Sequence, residues 1–282
     1  MIWRWLRDDF LGIFREMRWS YVPPLMVYLA AGISGFTGII ESFYVKEELG
    51  LSAQFLAGLG FWVGLPWALK MPLGHLVDLF WRYKALFVYV GAALMTASLL
   101  IMVGLTGDPA SMTALLTAEY WYIIASLLSP VGFVLQDVVA DAMTVEAVPT
   151  HDADGEEIGE QEIKRMHITM QTLGRIAIIG GSAMVAGLGG WLAMTLSYQV
   201  MYQFALIIPL VSILGVSLGS IFQRLRQRRL LQQGVELSST DGRDDTLVPN
   251  WYILGGSGAF VILSLVLGVS DFGFKKEAIF CG

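Results

Sequence analysis

Apolar residues run along this chain in blocks of about 20, too long and too continuous to be alternating strands. Seven such blocks stand out, at 22–44, 54–76, 85–105, 119–142, 170–194, 200–222 and 251–269. A hydrocarbon layer of ~30 Å takes about 20 residues of helix to cross. Each block therefore predicts one membrane-spanning helix, because lipid offers an open backbone no partners. The first 20 residues read differently. Trp3, Leu6, Phe10, Phe14 and Met17 recur at 3–4 spacing, with Arg4, Arg7, Asp8, Arg15 and Arg18 largely elsewhere. That pattern predicts an amphipathic helix lying on the membrane surface. It does not fit a secretory signal, which needs an apolar core before a small-residue cleavage site.

Composition agrees with the pattern. Of 282 residues, 55% are hydrophobic and 15% charged, and the mean hydropathy is +0.62. A water-soluble domain carries about a quarter charged residues, so the expected class is an all-α integral membrane protein. A single cysteine, Cys281, excludes an internal disulfide and any zinc spacing. No phosphate-cradling Gly-rich loop, zinc-protease helix or nucleophile elbow occurs, so neither an enzyme nor a bound cofactor is expected. Nothing points to nucleic acid. The acidic stretch 151–162 resembles a calcium loop only superficially. Starting from Asp152, the sixth and twelfth positions are Glu157 and Ile163 where Gly and Glu are required.

Charge sets orientation and organisation. The N-terminal arm, the 77–84 turn, the 147–168 loop and the 223–250 loop hold 13 of the 18 Lys and Arg residues. Lys46, Lys275 and Lys276 lie on the other side, and Lys70 and Arg175 fall inside spans. The positive-inside rule then puts the N-terminus in the cytoplasm, in a multi-pass protein of the cell membrane. The chain divides into the surface helix 1–20, a six-span bundle 21–222, a polar connector 223–250 and a further span within 251–282. Six spans, a connector and more spans are the outline of a major facilitator superfamily transporter, in which two six-helix halves enclose the substrate path. On that plan the chain is truncated after about seven helices, and a second half would come from another chain. A seven-helix receptor is the competing plan, but it normally places the N-terminus outside. Small residues at four-residue intervals, Ala31, Ser34, Gly35 and Gly38 in the first span and Ser182, Ala186 and Gly190 in the fifth, predict close helix contacts.

Chemistry concentrates in the second, fourth and fifth spans. In "LPWALKMPLGHLVDLFWRYK" (65–84), Gly74, Leu76, Asp78 and Arg82 match the facilitator loop motif G-x-L-x-D-x-x-G-R-K, with Trp81 at the second glycine and the last base displaced to Lys84. A glycine there would let two helices touch, and an aspartate at a helix end can hold a gate closed. An ordinary turn with Trp and basic anchors is the other reading. Pro66, Trp67, Lys70, Gly74 and Asp78 also keep the spacing P-W-x-x-K-P-x-x-G-x-x-x-D, with Met71 at the second proline. Asp137, Val138, Val139, Asp141, Val145 and Glu146 follow D-V-V-x-D-x-x-V-V-E, with Thr144 for one valine. Together with "QTLGRIAIIGG" (171–181) and "GVSDFGFKKEAIF" (268–280), these stretches resemble the folate–biopterin transporter family, a facilitator branch. The resemblance implies transport of pteridines or folates.

A charge in mid-membrane costs roughly 2.5–3.5 kcal/mol on insertion scales, so it survives only beside a partner or water. Asp137 and Asp141 share one helical face. Lys70 and Arg175 offer the opposite sign. These four are the candidate substrate and proton pathway: an organic anion near Arg175 or Lys70 would displace a carboxylate, which would then take a proton. A structural ion pair, or bases that snorkel to the surface, are the alternatives. Gly74, Asp78, Arg82 and Glu146 are the candidate gate. Glu41 is expected at the outer interface, and His75 in packing. The remaining functional alternatives are a facilitator for another small solute and a transport-incompetent assembly protein.

Overall fold

The computed structural model describes residue 14 and residues 16–80, 83–152, 156–232 and 249–269. Most of the surface helix expected over 1–20, Trp81, Arg82, most of the connector, Lys275, Lys276, Cys281 and the 270–280 stretch of the last motif lie outside these. Among the described residues the chain is helical with no strand; one isolated bridge pairs His151 with Glu157.

The helices are α1 (Val22–Ile33), α2 (Gly35–Tyr44), α3 (Ala53–Ala68), α4 (Lys70–Leu79), α5 (Lys84–Gly107), α6 (Ala118–Ala147), α7 (Glu160–Ala193), α8 (Tyr198–Ala205), α9 (Ile207–Gln232) and α10 (Trp251–Val269). Five stretches are long and apolar enough to cross a membrane: Trp19–Glu41, Lys84–Gly107, Ala118–Ala147, Glu160–Ala193 and Tyr198–Arg229. The chain is an all-α, multi-pass membrane protein. Two of the seven expected spans fall short of that length. The second is divided into α3 and α4 at Leu69, and the seventh is a shorter apolar helix.

The divisions have local causes. Pro66 and Pro72 flank Leu69 and carry no amide for the carbonyls of Trp62 and Ala68. The Leu69 amide turns back to Pro66 O at 3.1 Å. Between α1 and α2, the Ser34 hydroxyl donates to Ala31 O at 2.7 Å, and the Thr37 hydroxyl donates to Ser34 O at 2.8 Å. Such side-chain bonds compete with the helical ladder.

The two tightest backbone-to-backbone crossings are at glycines. A Cβ on Gly91 of α5 would come within 2.5 Å of Gly132 O on α6. A Cβ on Gly32 of α1 would collide with Ile178 O on α7, and one on Gly181 would lie 3.1 Å from Gly32 Cα. The helices expected to meet do meet, but one residue out of register. Gly35, Gly38 and Gly190, which the four-residue rhythm picked out, face open space. Only Ser182 of that set joins the contact, donating to Gly32 O at 3.2 Å.

Apolar packing forms two clusters. One holds Ile40, Tyr44, Leu105, Tyr122, Met201 and Tyr202; the other holds Tyr21, Val88, Val134, Val139, Met170 and Val216. The second lies at the basic end, where the starts of α5 and α7 and the ends of α6 and α9 gather. The first lies at the opposite end.

Candidate functional site

Lys70 opens α4, immediately after the break at Leu69, and its ammonium reaches two carboxylates of α6. Nζ lies 2.6 Å from Asp137 Oδ2 and 2.8 Å from Asp141 Oδ2. Four-residue spacing places both acids over one turn, so a single ammonium bridges them. Asp137 is the enclosed member, its side chain 10% exposed, while Asp141 is 48% exposed and Lys70 38%. A residue that no motif singled out completes the group. Tyr28 of α1 donates its hydroxyl to Asp141 Oδ1 at 2.6 Å. A lone tyrosine in an apolar block leaves no pattern to find it by.

Arg175 of α7 makes no ion pair among the described residues. It is exposed, yet near enough to act electrostatically on Tyr28 and Asp137. Two carboxylates and one ammonium leave one negative charge over, and Arg175 is the charge that can offset it. The sequence grouped Arg175 with the other three as equals. The structure separates them: three in contact, one standing off.

A cavity of about 210 Å³ opens about one helical turn from this group, lined among others by Ser34, Thr37, Ser129 and by Trp67 and Phe133, which precede Lys70 and Asp137 by a turn. The Trp67 and Phe133 rings lie 5.4 Å apart, inclined at 48°. A smaller space of about 10 Å³ touches Gln136 and Asp137, room for about one water. Both the Ser34 break and the residues leading into the Leu69 break therefore border the same hollow. Broken helices around a midplane hollow are a recurring arrangement in transporters, since irregular backbone is tolerated only where it lines a cavity.

The candidate gate residues divide. Glu146, in the last turn of α6, meets the Lys84 ammonium at the start of α5. Gln223 of α9 donates to Glu146 Oε1 at 3.2 Å and accepts from Lys84 Nζ at 3.3 Å. The ends of three helices are thereby joined. Lys84 is the displaced base of the loop motif. Gln223, missed in the sequence, is the first polar residue to follow the sixth apolar block. Asp78 lies in the last turn of α4, and Arg82 falls outside the described residues. Gly74 does not mediate a close approach, because a Cβ there would sit 3.9 Å from Val138 Cγ1, an ordinary contact. That expectation is corrected. His75 accepts the Asn250 amide at 2.9 Å, tying α4 to the residue before α10.

Comparison with known proteins gives one similarity to weigh. Over 151 residues the chain is 29% identical to the folate-biopterin transporter of Synechocystis sp.. That relative is a transporter. The aligned stretch occupies 51% of this chain and 27% of the relative, so the chain matches about a quarter of that protein's length. No family model matches the chain, and no solved structure matches it.

Proposed function

We propose that the chain forms one six-helix bundle of a facilitator-type secondary transporter that carries folate- or pteridine-like organic anions with a proton. The observation carrying this reading is the bridged Lys70 ammonium, held by Asp137 and Asp141 about one helical turn from a cavity, with Arg175 near but uncommitted. In the empty path the two carboxylates neutralise Lys70. An incoming carboxylate is drawn to Arg175, whose planar guanidinium suits bidentate contact. It then competes with Asp141, the exposed member, for Lys70. A displaced aspartate loses its neighbouring cation and gains proton affinity, which links anion and proton movement. Trp67 and Phe133 offer faces against which a flat ring can stack.

The exposure of Lys70 and Asp141 supports a second bundle covering this face. Alternating access then consists of one bundle rocking against the other, with the Lys84–Glu146–Gln223 contact holding the basic end closed. The basic end faces the cytoplasm of a plasma membrane by the positive-inside rule. The similarity to a transporter favours this reading over a scaffold in which the same ion pairs serve structure alone.

Uptake of labelled folate into membrane vesicles tests it. Asp137→Asn and Arg175→Gln are expected to lower uptake at least about tenfold while the protein stays in the membrane, as loss of a charge-assisted contact implies. Equal uptake by all three proteins would remove these residue roles.

A further inference from the structure

Glu41, expected at the outer interface, lies in the last turn of α2. It is half-buried, and its Oε1 accepts from the Ser126 hydroxyl of α6 at 3.2 Å. The Tyr122 hydroxyl faces both Glu41 and Ser126. Tyr202 of α8 is 2% exposed, and its hydroxyl has no hydrogen-bond partner among the described residues. It lies within electrostatic reach of Glu41, Tyr122 and Tyr44. An orphaned buried hydroxyl calls for an explanation, and an unseen ligand is one. Pro130 deprives one more oxygen here of its helical partner. It stands four residues after Ser126 and has no amide to give the Ser126 carbonyl.

These oxygens lie about one helical turn beyond the residues that line the cavity. Ser34, Thr37 and Glu41 stack along the first span at helical spacing, as do Ser126, Ser129 or Pro130, Phe133 and Asp137 along α6. Ser34, Thr37, Ser129, Pro130 and Phe133 line the hollow between. Eleven residues of helix separate Ser126 from Asp137, about 16 Å. The hollow thus has a carboxylate near each end. Asp137 has its base; Glu41 forms no ion pair among the described residues.

We propose that Glu41, Ser126, Tyr122 and Tyr202 form a monovalent-cation site. This rests on the transport reading and adds an ion site separate from the proton-taking aspartate of that reading. The donors are all oxygen, which suits a hard cation. They carry one negative charge, and no group of three His, Cys, Asp or Glu occurs among the described residues. A divalent or transition metal is therefore poorly matched. Sodium ion and the proton share the required chemistry. The titratable groups around Glu41 are Tyr44 on its own helix, Tyr122 on α6, Tyr198 and Tyr202 on α8, and Glu48 beyond α2, which acts on Tyr44. The stretch of α7 that packs here, residues 181–193, has none.

The test uses the 282-residue chain in nanodiscs of uncharged lipid, with no organic anion present. Binding of radiolabelled sodium is measured against choline, and the protonated-carboxyl infrared band is followed from neutral to acid pH. A sodium site shows saturable binding that Glu41→Gln weakens at least about tenfold. Tyr202→Phe, which deletes a hydroxyl without a partner among the described residues, weakens it less. A proton site shows no sodium binding but a carboxyl band that Glu41→Gln removes and Tyr202→Phe shifts. Asp108→Asn, an exposed acid at the same end, changes neither. Sodium binding and carboxyl band both unaltered by Glu41→Gln and Tyr202→Phe would overturn the proposal. Neither readout involves folate, so failure here leaves the Asp137 and Arg175 uptake result standing, and the reverse.

Discussion

Replacing Lys70 by Met leaves two carboxylates one helical turn apart with only Arg175 to offset them. Losing one partner of a buried pair costs about 3–5 kcal/mol, and losing one of an exposed pair about 0–1 kcal/mol. The Asp137 contact, 10% exposed on the acid's side, belongs near the first range; the Asp141 contact, 48% exposed, belongs near the second. Lys70 is itself 38% exposed, so screening reduces the total to about 2–3 kcal/mol. For a chain of this size that is roughly a 4–8 °C fall in the midpoint of thermal unfolding. Asp137→Asn should cost less, because Lys70 keeps Asp141. Asp141→Asn should cost least. The double variant Lys70→Met with Asp137→Asn should recover about half of the loss, a coupling of about 1–2 kcal/mol. Thermal unfolding in mild detergent, read by size-exclusion of a tagged protein, gives the order directly. A double variant no more stable than Lys70→Met alone would refute the idea that the ammonium neutralises Asp137.

Three further outcomes follow from particular contacts. Gly32→Ala drives a methyl into the α7 backbone and should cost about 1–3 kcal/mol, whereas Gly35→Ala, in open space, should be close to neutral in the same unfolding assay. Glu146→Gln leaves the Lys84 ammonium, only 14% exposed, without its carboxylate and should lower the unfolding temperature at least as far as Lys70→Met does. The Thr169 hydroxyl that donates to Glu16, with Arg165 beside it, holds that carboxyl below the usual carboxylate range. Its contribution to docking the N-terminal segment is therefore present above the unfolded value of about 4.5 and lost as pH falls through the lower folded value. Protease cutting near residue 16 should rise only in that acid window, and Glu16→Gln should be cut at every pH.

The helices were legible because lipid forces long apolar blocks to be helical, whatever their neighbours. Their interruptions were less so. Pro66 and Pro72 announce the break at Leu69, but the break at Ser34 depends on hydroxyl bonds to carbonyls one turn back, for which serine and threonine supply only a propensity. The helix contacts were visible in the small residues, yet their register was not. Gly32 and Gly181 stand beside the residues that the four-residue rhythm selected, and only the crossing geometry tells the neighbours apart. Lys70 was readable against Asp137 and Asp141, since unlike charges deep in lipid have few other places to go. Arg175 shared that logic but not the contact. Tyr28 and the tyrosines around Glu41 escaped notice because a hydroxyl in an apolar block breaks no pattern, and Gln223 because a polar residue at the end of a span is commonplace.

The central claim is that the bridged charges lie about one helical turn from an aqueous hollow able to hold an organic anion. With Cys281 replaced by Ser, a single cysteine at Ser34 lies on the wall of that hollow, and its reaction with a membrane-impermeant thiol reagent can be followed with and without folate. The account predicts that the cysteine reacts, that folate slows the reaction at least about fivefold, and that Arg175→Gln removes the protection. A cysteine at 34 that stays unreactive, or reacts equally with folate present, would contradict it.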